Sequence, residues 1–158
     1  MIEQATDIEQ RTRSAIPTSS SKRSAYIYTA VAIVSLIGLA DATYLTIEHI
    51  TGQSVRCTII AGCSEVLSSR YAAIGGVPLA MIGAAAYFTV FSLATLAAFG
   101  YRFAGSVLNL VVAMMVLVSL WLIYLQAFVI QSFCQYCLLS AAVTFVLALL
   151  LVLRWRKS

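Results

Sequence analysis

Between Phe103 and Leu153 the chain carries no Asp, Glu, Lys or Arg, an unbroken run of 51 residues. As a single helix that run would be roughly 76 Å long, against a hydrocarbon thickness of about 30 Å. It must therefore turn once, and the turn is expected at its most polar central point, Gln131-Ser132-Phe133. Two helices follow, over about 105–130 and 134–153. Tyr71 to Tyr101 is a second uncharged run. Val77-Pro78 marks the start of its helix, since proline is tolerated in a first turn, and Gly100-Tyr101-Arg102 marks the end, giving a span over about 77–99. The apolar stretch 25–49, broken only by Asp41 and Glu48, supplies the remaining span. The expected fold class is an all-α integral membrane protein, a four-transmembrane-helix bundle. Composition agrees: 10 % of residues are charged and 61 % hydrophobic, where soluble domains carry about 25 % charged residues. Such a chain is not an ordinary water-soluble enzyme, a disordered segment or a nucleic-acid-binding surface.

The basic residues orient the bundle. Arg11, Arg13, Lys22 and Arg23 precede the first span, Arg102 joins the second and third, and Arg154, Arg156 and Lys157 follow the fourth. These eight of the ten Lys and Arg residues mark one side, which the positive-inside rule assigns to the cytoplasm. Both termini are expected there, in a multi-pass protein of the inner (plasma) membrane. Residues 1–23, polar and rich in Ser and Thr, read as a disordered cytoplasmic tail, 24–154 as the membrane domain, and 155–158 as a short second tail. No cleavable signal peptide is expected, because no small-residue cleavage site ends the first apolar run.

All four cysteines then fall on the outer face. Cys57 and Cys63 lie in the long first loop, and Cys134-Gln135-Tyr136-Cys137 opens the fourth helix. A Cys-x-x-Cys at a helix N-terminus has a mechanism: free N–H groups and the positive end of the helix dipole stabilise a thiolate. A Cys-x5-Cys pair in a loop can close its own disulfide or exchange with another. Two such pairs make an electron relay at a membrane surface. The same four cysteines are also compatible with two structural disulfides in a non-enzymatic membrane subunit or assembly factor. A four-cysteine zinc site fits poorly, because structural zinc favours closer pairs, and no metal is expected.

The residues resemble the vitamin K epoxide reductase family. The resemblance rests on Cys63-Ser64-Glu65-Val66-Leu67-Ser68-Ser69-Arg70-Tyr71, on Gly76-Val77-Pro78-Leu79, on Gly83 through Tyr87, and on the late Cys134-Gln135-Tyr136-Cys137 with Cys57 ahead of the loop. It covers roughly residues 25–153. It implies a quinone-dependent thiol–disulfide oxidoreductase that supports disulfide formation in secreted proteins, with menaquinone or ubiquinone as electron acceptor. By the same resemblance Cys137 faces the quinone as the reacting thiolate and Cys134 is its partner, also able to pair with Cys63. Cys57 is the outermost thiol and exchanges with a secreted thioredoxin-like (DsbA-type) protein. Ser69 matches a family serine near the quinone or the active thiols, and residues 64–72 match a short half-helix on the membrane surface. Leu79, Tyr87 and Ala141 are assigned to the quinone-binding or supporting set. Animal members carry an asparagine where this chain has Leu79 and a tyrosine where it has Ala141, so simple quinone reduction is expected rather than epoxide reduction. Many bacterial members continue into a fused thioredoxin-like domain. This chain stops at Ser158, so its partner is expected to act in trans.

Asp41 lies about two turns below the outer end of the first span and shares a face with Tyr44, Leu45 and Glu48. An ionisable group within a span is a functional hypothesis by default, here a proton path to the acceptor. The alternative is a neutral acid bonded to Asn109 or a hydroxyl. His49 reads as interfacial, Trp121 and Tyr124 as packing or pocket wall, and Trp155 and Tyr101 as an aromatic belt.

Overall fold

A computed structural model describes residues 19–52, 63–69 and 71–156. Helix α1 runs Ser19–Thr51, a short α2 runs Cys63–Ser68, and two two-residue strands, β1 (Ala73–Ile74) and β2 (Val77–Pro78), lead into α3 (Leu79–Ala98). Helix α4 (Arg102–Tyr124) continues as a π-helical segment, Leu125–Ile130, and α5 runs Gln135–Arg156. Four stretches are long and apolar enough to cross a membrane: Ser24–Thr51, Leu79–Ala98, Phe103–Ile130 and Gln135–Arg156. These match the four expected spans to within a few residues at each end.

The helices form one bundle in which α1 packs chiefly on α3 and also on α5, while α4 packs on both α3 and α5. Its core contains Val31, Tyr87, Val90, Ala94, Leu108 and Leu147. Large apolar side chains such as Ile33, Phe88, Leu110 and Leu149 point outward, as a lipid-facing surface allows. Since both faces are apolar, hydrophobicity does not choose the inner one. Close packing does, through small residues that let backbones approach. Gly38 on α1 is the clearest case, because a β-carbon there would collide with the ring of Tyr87 on α3. At the far end of the bundle Arg154 lies 4.6 Å over the ring of Tyr28 and donates to Ser24 Oγ at 3.3 Å.

The chain turns at Gln131, whose φ of 56° is left-handed, inside the triplet where the turn is expected. Three expectations need correction. Helix α1 starts at Ser19, within the stretch read as tail, because the apolar pattern that signals a helix begins only at Ala25. Val77-Pro78 does not open α3 but closes a hairpin, pairing Ile74 with Val77 and Ala73 with Pro78. Its loop is Gly75-Gly76, with φ of 59° and 86°. Positive φ at both loop residues is what the two-residue turn matching strand twist requires. Pro78 then serves as the cap of α3. Finally, Trp121 and Tyr124 neither pack inward nor line a pocket. Both are exposed and stack on each other at 5.9 Å, with Phe128 continuing the row at 5.0 Å from Tyr124.

Candidate functional site

At the Cys134 end of the bundle the four long helices part around a cavity of about 470 Å³. Helix α2 covers it, contributing Val66, Leu67 and, just beyond its end, Ser69. The Ser69 hydroxyl donates to the Val66 carbonyl at 2.7 Å, three residues back in the chain. The walls are mainly aliphatic. Leu79 and Ala141 stand in them.

The dithiol sits at the start of α5. Cys134 caps the helix: its carbonyl accepts from the Leu138 N–H at 3.0 Å, the first α-helical bond, while Gln135 is the first helical residue. A capping side chain accepts from the N–H groups two and three residues on, and the Cys134 sulfur does so from Tyr136 and Cys137. The Cys137 thiol also donates to it. That hydrogen bond, supported by the two backbone N–H groups, holds the Cys134 thiol down to about 7, against the opposing influence of burial and of Asp41. Within the pair Cys137 is the hydrogen-bond donor and Cys134 the acceptor. The resemblance places the thiolate that meets the quinone on Cys137. Cys137 lines the cavity, whereas Cys134 is fully buried behind it with Leu45 and Val66.

Asp41 also faces the cavity. It is 9 % exposed, and its Oδ2 has no hydrogen-bond partner among the described residues, so the expected bond to Asn109 or a hydroxyl is not made by that oxygen. Tyr87 completes the polar side of the wall. Its Oη lies 2.8 Å from the Ser140 carbonyl oxygen, 2.9 Å from Ser140 Oγ and 3.0 Å from Thr144 Oγ1. His49 stands at the same cavity. Cys63 is the first residue of α2, and Cys57 lies outside the described residues. No group of three or more His, Cys, Asp or Glu residues capable of holding a metal occurs among the described residues.

One site residue escapes sequence reasoning. Gln126, 3 % exposed, accepts the Cys134 backbone N–H at Oε1 over 3.0 Å and lines the cavity. The only sequence signal is an isolated amide within an apolar run, eight residues before a cysteine. Which way it faces depends on the π-helical turn that carries it, and hydropathy does not reveal that turn.

Residues 29–152 match the vitamin K epoxide reductase family. Thiol-disulfide oxidoreductase LTO1 of Arabidopsis thaliana is 34 % identical over 125 residues, a match covering 72 % of this chain and 33 % of the relative. The chain thus spans about a third of that relative's length.

Proposed function

Since this chain belongs to the vitamin K epoxide reductase family, we propose that it is a thiol–disulfide oxidoreductase coupling thiol oxidation to a membrane quinone. The observation that carries the reading is the Cys134–Cys137 pair at the start of α5, with Cys137 in the wall of a large apolar cavity. Electrons enter from a thioredoxin-like thiol protein at Cys57 and Cys63, and pass by disulfide exchange to Cys134 and Cys137. Each exchange forms one S–S bond and breaks another, conserving electrons. Closing the Cys134–Cys137 disulfide releases two electrons and two protons. A quinone supplies the matching chemistry by accepting both.

The cavity suits such an acceptor in volume, in its aliphatic walls and in the unpartnered Asp41 oxygen at its edge. Leu79 and Ala141 shape the wall, Ser69 closes it from above, and Tyr87 holds α3 to α5 beside it. Asp41 receives and hands on protons. The acidity of Cys134 makes it a good leaving group when the loop cysteines deliver electrons by exchange, because a thiol of lower pKa departs faster. The basic residues favour an inner-membrane arrangement with both termini in the cytoplasm and the cysteines outside.

The test is purified protein given a small dithiol and a short-tailed soluble quinone. Quinol is expected to form in step with dithiol loss. Disulfides that resist the dithiol, with no quinol formed, would refute the proposal.

A further inference from the structure

We propose that Gln126 is a positioning residue for the reaction, bracing Cys134 from the π-helical turn so that its sulfur points along the N–H groups of α5. The inference rests on the proposed role of the Cys134–Cys137 pair and deepens it. It begins from a cost. An amide buried in a membrane helix is unfavourable unless hydrogen-bonded, yet Gln126 is among the most buried polar side chains described.

Its carbonyl is matched to one donor, the N–H of Cys134. That donor belongs to a helix cap, and the first N–H groups of a helix have no partner within it. In many soluble helices the cap N–H is taken by a Glu or Gln three residues on. Here that position is Cys137, whose thiol is turned to the Cys134 sulfur instead. Gln126 fills the vacancy from the neighbouring element.

The π-helical segment Leu125–Ile130 provides the aim. Leu125 and Gln126 are its two buried residues, and single π turns inside helices recur at functional sites. Such a turn holds more residues than an α turn, so it rotates the side chains that follow relative to those before. With Cys134 held on both sides, its sulfur stays in line with the N–H groups of Tyr136 and Cys137. The other titratable groups facing Cys134 among the described residues are Cys137 on its own helix and Asp41 on α1. Neither touches the bond that Gln126 makes.

The experiment uses reduced, quinone-free protein in lipid nanodiscs and compares wild type, Gln126→Met and Gln126→Glu. Two readouts are taken: thiolate ultraviolet absorbance against pH, and deuterium exchange at the Cys134 amide. Wild type is expected to titrate near pH 7. Gln126→Met moves the midpoint up by about half to one unit and speeds Cys134 amide exchange by about tenfold, the loss of one ordinary hydrogen bond. Gln126→Glu keeps an oxygen at the same reach and restores amide protection. An unmoved midpoint with unchanged exchange in Gln126→Met overturns the proposal, and so does Gln126→Glu exchanging as fast as Gln126→Met. Neither readout involves quinone or partner, so failure here and failure of the quinone-linked function are told apart.

Discussion

The ring of Tyr87 occupies the space in which a β-carbon on Gly38 would stand. The ring has little room to retreat, because its hydroxyl is tied to Ser140 and Thr144 on α5. One side chain thus registers α1, α3 and α5 against each other at the cavity wall.

Gly38→Ala should destabilise the protein by about 1–3 kcal/mol, the usual cost of overpacking, despite alanine's better helix propensity. Gly83→Ala is the control, since its nearest neighbour would be Ala42 Cβ at an ordinary 3.9 Å. There the gain in propensity, about 1 kcal/mol, should leave stability unchanged or higher. Thermal melts of the two variants in the same detergent decide it, and equal melting temperatures would contradict the close-approach argument.

Asp41→Asn should lower quinone turnover severalfold while leaving the melting temperature unchanged or higher. The motive is a buried carboxylate oxygen that no described group satisfies. Turnover measured across pH checks the role, and identical profiles for variant and wild type would remove Asp41 from the proton route.

The two cysteine pairs should fail differently. Cys57→Ala is expected to abolish oxidation of a thioredoxin-like partner yet keep much of the quinone reduction driven by a small dithiol. Cys137→Ala should lose both. In Cys63→Ala the Cys57 thiolate should collect as a mixed disulfide by attacking the disulfide of the oxidised partner, one partner sulfur leaving as a thiol, with no neighbouring loop thiol to displace it. Equal loss of both activities in Cys57→Ala and Cys137→Ala would mean the pairs do not act in series.

Acidity at the helix cap gives a pH test. The Cys134 thiol is held down to about 7, first by the Cys137 thiol, so its thiolate fraction rises as pH climbs through 7 rather than through the ordinary thiol range. Removing the donor in Cys137→Ala should shift the thiolate titration upward. A titration that stays near 7 in that variant would assign the acidity to the backbone N–H groups alone.

Orientation is checked on intact cells. After reduction, a membrane-impermeant thiol reagent is expected to reach Cys57 without lysis. Labelling that requires lysis would reverse the topology and remove the cysteines from the oxidising side.

The bundle is legible in the sequence because charge is forbidden where lipid is. Arg102 and Arg154 bracket the long run, and Gln131 breaks it with a left-handed residue. The cysteine constellation is legible because Cys134 and Cys137 are spaced for a helix start. Packing is harder to read. In a chain apolar on every face, periodicity does not separate Tyr87, buried at 1 %, from Phe88, exposed at 58 %. Nor does it foretell that Trp121 faces outward. The acidity of Cys134 depends on its standing at the cap of α5, and the Cys-x-x-Cys spacing alone does not say where the helix starts. Gln126 is hidden for a related reason: its direction follows from backbone winding, and six residues, LQAFVI, read equally well in either winding.

That winding makes α4 and its extension intolerant of a change in length. Removing one residue between Leu125 and Ile130 would let the segment relax to ordinary α-helix, the more comfortable state for the backbone taken alone. Each residue of an α-helix turns the next by about 100°, so the same deletion would swing Gln126 away from Cys134 relative to the residues after it. The winding of the wide turn and the alignment of α5 are therefore one property of the chain, inherited or lost together.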